Sequence, residues 1–171
     1  LTVDEPPTIL TQPPLSINIC SADELRVGTS IQGSNINYQW YFNGTPLSDN
    51  ASISGSTASL LIINPISELN EGVYFCVINN SCSSAVTVGT QVTVNNPAVI
   101  TEQPKNTSSC TGEDISLTIL ATGDNLSYQW QKGSTVLAGA TNPVLTINNI
   151  ALTDSGTYQC VITSACGSIT S

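Results

Sequence analysis

The chain has two tryptophans, and both stand in the same phrase: Tyr-Gln-Trp at 38–40 and again at 128–130. Around them the sequence repeats in order. Val3 aligns with Val94, Pro6 with Pro97, Ile9 with Ile100, Pro13 with Pro104, Cys20 with Cys110 and Gly33 with Gly123. Further on, "SLLIINPISELNEGVYFCVINNSC" (59–82) aligns with "PVLTINNIALTDSGTYQCVITSAC" (143–166). Self-similarity at one period indicates one structural unit made twice. The offset falls from 90 at the tryptophans to 84 at Cys76 and Cys160, so the first copy carries an insertion ahead of "SLLII". The expected division is 1–7 as the tail of a preceding repeat with its linker, 8–95 as the first domain, and 96–171 as the second, its last strand truncated. On this reading the chain is a window from a longer tandem array, and a mature or internal segment.

Each copy reads as all-β. In "DISLTILATG" (114–123), Ile115, Leu117, Ile119 and Ala121 share one face and Ser116, Thr118 and Leu120 the other, the period of a half-buried strand. "SYQWQKG", "VLTINNI" and "GTYQCVIT" follow as short strands parted by glycine and asparagine turns. Roughly 90 residues of this pattern make a sandwich of two antiparallel sheets.

These residues resemble the immunoglobulin fold. "DSGTYQC" (154–160) is similar to that fold's F-strand signature, with Tyr158 in the tyrosine-corner position two residues before Cys160. "NEGVYFC" (70–76) repeats it with Tyr74 and Cys76, Asn70 replacing the usual aspartate. The resemblance makes Trp40 and Trp130 the buried strand C tryptophans. Phrases such as "YQWQK", "GAT…LTI" and "CGS" also resemble the immunoglobulin-like repeats of large secreted surface and gliding adhesins of Bacteroidota. The fold class expected is tandem immunoglobulin-like β-sandwiches.

The cysteines depart from that pattern. Counting back eleven residues from each tryptophan reaches Thr29 and Ile119, so the usual B-strand partner of Cys76 and Cys160 is missing twice. Cys20 and Cys110 instead precede the B strand, and Cys82 and Cys166 follow the F-strand cysteine by six residues. An odd count per copy invites bridges between units. Cys110–Cys160 would have to span a rise of roughly 15 Å, where a disulfide needs Cα atoms within about 7 Å. Cys160–Cys166 could close only across a hairpin that sets them opposite each other. Cys20–Cys166 would staple neighbouring repeats and leave Cys76 and Cys160 as buried thiols. An intradomain bridge in a modified sandwich stands beside it as the alternative. Neither arrangement resembles a zinc site, since no C-x-x-C pair occurs and histidine is absent. An oxidising, extracellular, cell-surface setting fits these cysteines.

Composition excludes several functions. Three basic residues face twelve carboxylates, a net charge of −9, which repels nucleic acid and anionic lipid. No apolar run approaches the ~18 residues that cross a bilayer. Without histidine there is no Ser-His-Asp or Cys-His set. The pairs Asp4/Glu5, Asp23/Glu24 and Glu113/Asp114 fall in linkers and turns and read as solvated charges, with interdomain calcium as the sharper alternative. Asp154 reads as a structural turn residue. A lysine–asparagine cross-link is excluded in the first copy, which has no lysine. "NGT" (43–45), "NAS" (50–52), "NNS" (79–81), "NTS" (106–108) and "NLS" (125–127) match the N-glycosylation pattern but arise readily in so asparagine- and serine-rich a chain.

No catalytic, cofactor or metal residue is therefore expected, and no enzyme activity. The expected function is that of a stalk or fibre segment in a cell-surface adhesin. Its partners would be neighbouring repeats, with disulfide links possible between them, and a surface polysaccharide or protein ligand at a distal tip. The alternatives are a receptor-type ligand-binding module and an ancillary domain of a secreted hydrolase. The receptor reading calls for an exposed aromatic or charged cluster on one copy, whereas the aromatics are expected at core positions.

Overall fold

The structure is a computed structural model and describes residues 3–171. The chain divides into two compact units, Leu1–Val94 and Asn95–Ser171. Of the segment read as a preceding repeat's tail, residues 1 and 2 lie outside the described residues.

The first unit is built from β1 (Thr8–Thr11), β2 (Ser16–Cys20), β3 (Leu25–Gly28), β4 (Ser30–Gln32), β5 (Asn37–Phe42), β6 (Thr45–Pro46), β7 (Ile53–Ser54), β8 (Leu60–Ile63), β9 (Gly72–Asn79), β10 (Ser84–Val86) and β11 (Thr90–Asn95). One sheet runs β2-β11-β9-β5-β6, with β10 on the far half of β9. The opposing layer holds β3-β8-β7, and β1 pairs with β4. Antiparallel registry sets Trp40 opposite Cys76 and Tyr41 opposite Phe75. Residues opposite one another share a face, so Trp40 and Cys76 point inward together. With Leu25, Val27, Leu61, Ile63, Tyr74 and Ile78 they form a closed core. Asn43 and Gly44, at φ 48° and 82°, form the two-residue turn between β5 and β6, where both positions need positive φ.

The second unit repeats the plan with β12 (Val99–Glu102), β13 (Ile115–Thr118), β14 (Leu120–Thr122), β15 (Ser127–Lys132), β16 (Thr135–Val136), β17 (Val144–Ile147), β18 (Tyr158–Ser164) and β19 (Gly167–Thr170). Trp130 faces Cys160 across β15 and β18, and both are fully buried with Ile119 and Ile162. The run 114–123 alternates faces as expected but is not one strand. β13 pairs with β17, the chain passes Ile119, and β14 pairs with β12. The partner changes because the segment crosses from one neighbour to the other, while inward alternation continues through Ile119. β3 and β4 change partners in the same way at Thr29.

In the first unit β11 lies against β2 and β9 and buries Thr90, Val92 and Val94. In the second unit an open cavity of about 450 Å³ between residues 104–111 and the start of β18 is lined by Ile115, Leu117, Ile150 and Tyr158.

Candidate functional site

Around each tryptophan the same bonds recur. The Trp40 indole donates to Ala58 O at 2.9 Å and Trp130 to Asn142 O at 2.9 Å. Gln39 donates to Leu47 O and Gln129 to Leu137 O, both at 2.8 Å. The Tyr74 hydroxyl donates to Asn70 O and Tyr158 to Asp154 O, both at 2.7 Å, the tyrosine corner. Asn70 Oδ1 and Asp154 Oδ2 accept from the amides of Ser67 and Ala151. Asparagine thus replaces aspartate without loss of the bond, because only an acceptor oxygen is needed.

Cys76 and Cys160 are free and fully buried. The positions that would hold their B-strand partners are taken by Thr29, whose hydroxyl donates to Thr11 O at 2.7 Å, and by the wholly buried Ile119. Burial raises the Cys76 thiol to about 11 and pushes Cys160 up as well. Both are protonated, small apolar groups, with no thiolate to react.

The other four cysteines sit in two kinds of turn. Cys20 ends β2, and there Asp23 N donates to Cys20 O, Ala22 N to Ile66 O and Ile66 N to Asp23 O. Cys110 has the same surroundings: Glu113 N donates to Cys110 O, Gly112 N to Ile150 O and Ile150 N to Glu113 O. Cys82 and Cys166 occupy the tip of the hairpin that follows the F strand. The registers Asn79–Ser84 and Thr163–Ser168 align the two hairpins. Cys82 N donates to Asn80 Oδ1 at 2.9 Å and Cys166 N to Ser164 Oγ at 3.1 Å. Each sulfur then lies beside a carbonyl at the entry of its own unit, Cys82 Sγ 3.3 Å from Asp4 O and Cys166 Sγ 3.4 Å from Asn95 O. Cys160 faces Trp130 deep in the sheet while Cys166 is at the tip, so a bridge across that hairpin is ruled out. Cys20 and Cys166 are each oxidised in a disulfide, whereas Cys82 and Cys110 are exposed free thiols.

Two expectations need correction. Asp4 is not a solvated linker charge: its carboxylate accepts from Asn35 Nδ2 and Ser81 Oγ, both at 2.7 Å. Asn80 Nδ2 donates to Glu5 O and to Ser34 O at 2.8 Å, so the entry segment is fastened to two loops of its unit. Nor do all aromatics lie in the core. Tyr41 and Phe75 stack at 5.0 Å, nearly parallel, on the outward face of the first unit's sheet. Their counterparts in the second unit are Gln131 and Gln159, joined at 3.0 Å. Period-two alternation carried the signal, since neighbours of inward Trp40 and Cys76 must point out. Among the described residues, no group of three Cys, Asp or Glu side chains could hold a metal ion.

The immunoglobulin domain family model matches residues 97–164. The extracellular domains 3–5 of Drosophila OTK superpose with a TM-score of 0.75 at 20% identity, covering 96% of this chain and 59% of that one. Sidekick-1 immunoglobulin domains 1–4 superpose at 0.77, with 20% identity and coverages of 98% and 48%. Both units are immunoglobulin-like β-sandwiches. Among curated relatives, the human cell adhesion molecule DSCAM is 27% identical over 73% of the chain, and mouse hemicentin-1 is 27% identical over 96%. The chain spans only 7% and 3% of their lengths. Among the described residues no helix is long and apolar enough to cross a membrane.

Proposed function

We propose that this chain is a non-catalytic segment of an extracellular stalk or fibre in a cell-surface adhesin, a spacer that carries a binding region elsewhere in the protein. The observation that carries this reading is the placement of oxidised cysteine at the ends of the sandwiches, with the F-strand cysteines left as inert core thiols. A bridge in the core holds one domain together; one at the ends ties a domain to what adjoins it. Similarity to cell adhesion proteins supports the setting, and the phrases shared with surface adhesins of Bacteroidota support such a source. The division into domains at 8–95 and 96–171, with 1–7 leading in, belongs to the same reading. The partners are neighbouring repeats, with a polysaccharide or protein ligand at a distal tip and neither nucleic acid nor inserted membrane.

Stretching the chain from its two ends by force spectroscopy tests this. A spacer under tension should show a bridged stretch that lengthens only after a reductant is added. Unfolding lengths that ignore reduction would refute the mechanical role.

The stacked Tyr41 and Phe75 favour a second reading, a ligand-binding face on the first unit alone. Immobilised chain passed over glycans and surface proteins separates the two. Saturable binding abolished by Tyr41→Ala, with the fold intact, would favour the receptor-type module over the spacer.

A further inference from the structure

The four end cysteines are two copies of one pair of seats, and only one copy of each is filled. Cys110 sits in the turn that Cys20 occupies, with the same three backbone bonds. Cys82 sits on the hairpin tip that Cys166 occupies, its sulfur 3.3 Å from the entry carbonyl where Cys166 is 3.4 Å from its own. Cys20 and Cys166 are oxidised, Cys82 and Cys110 are exposed thiols. A sulfur in a seat whose twin is already bonded is presented for the same bond.

We propose that Cys110 and Cys82 are cross-linking sites for further repeats of this kind. Cys110 bonds the hairpin-tip cysteine of a following repeat, and Cys82 bonds the turn cysteine of a preceding one. The proposal rests on the stalk reading, which it deepens by naming the partner. The rule is head to tail, turn cysteine to tip cysteine and never like to like. The chemistry is thiol–disulfide exchange with an oxidised dithiol or a small disulfide. One thiolate opens the oxidant's S–S bond to a mixed disulfide, and the partner thiolate displaces the oxidant's sulfur. Two protein thiols are oxidised, the oxidant's disulfide is reduced to two thiols, and two protons pass between them.

A second copy of the chain can supply the partner seat, which makes the test direct. The purified chain is incubated at high concentration with oxidised and reduced glutathione, then analysed by non-reducing electrophoresis and peptide mapping. The expected result is a ladder of covalent multimers containing a Cys82–Cys110 peptide, with Cys20 and Cys166 still oxidised. Cys82→Ser and Cys110→Ser should each abolish the ladder. An equimolar mixture of the two variants should give a dimer and nothing larger, because one tip and one turn remain. Unchanged melting of each variant shows that both still fold. Bonds of Cys82 to Cys82 or Cys110 to Cys110, a Cys82–Cys110 bond within a monomer, or chains that stay monomeric would each overturn the proposal. These outcomes leave the force measurement untouched, so failure of the cross-link is distinguishable from failure of the stalk.

Discussion

Tyr158 closes the turn ahead of its strand with one hydroxyl, 2.7 Å from Asp154 O. Tyr158→Phe keeps the ring and removes the bond, so it should cost about 1–2 kcal/mol, read from denaturant midpoints. Trp130 contributes far more, because its ring fills the centre of the second core. Trp130→Ala should cost about 3–5 kcal/mol, and a smaller loss would mean that the sandwich collapses onto the void. The Cys76 thiol, raised by burial to about 11, links stability to pH. The folded state keeps this proton above the ordinary value of 9.0, where the unfolded chain releases it. Its contribution is complete below pH 9 and is lost as pH rises toward 11, by up to about 1.4 kcal/mol per pH unit. The buried phenol of Tyr74 is pushed up too and adds the same sign above its ordinary 10.0. Urea titrations of wild type and Cys76→Ala from about pH 8 to about pH 10.5 should show a shallower decline in the variant.

At the scale of elements, the strands were legible because inward and outward residues alternate, and the tyrosine corner because its spacing is fixed. Alternation says which face a residue takes and nothing about which strand lies beside it. The exchange of partners at Thr29 and Ile119 was therefore invisible, although both positions stand out in the sequence as the places where the B-strand cysteine is missing. The fastening of Asp4 and Glu5 to Asn80 and Ser81 leaves no local mark either, since the bonds join residues far apart in sequence. The cysteines were legible as end positions, but spacing left the choice of bridge open. Gly123 is a different case, with a glycine visible in the sequence and its reason visible only in space. At φ +131°, a Cβ there would lie 2.6 Å from Pro97 O, a backbone atom that cannot turn aside. Gly123→Ala should thus destabilise the second unit by more than about 1 kcal/mol, seen as a lower melting temperature followed through Trp130 fluorescence in a Trp40→Phe background.

Taken as a whole, the molecule carries two separate cores, one around Trp40 and one around Trp130. Calorimetry should resolve two transitions, each followed by the fluorescence of one tryptophan. A single transition followed equally by both tryptophans would show that the units unfold together.

The replacement of the B-strand cysteine by Thr29 and Ile119 has a consequence for how such a protein is made. A sandwich whose centre needs no disulfide reaches its final packing while every sulfur is still reduced. Oxidation then acts on finished modules, at positions on their ends, and has no part in choosing the fold. Folding and oxidation become two separate events, so each unit can pack first and have its end cysteines oxidised afterwards, wherever the surroundings first become oxidising.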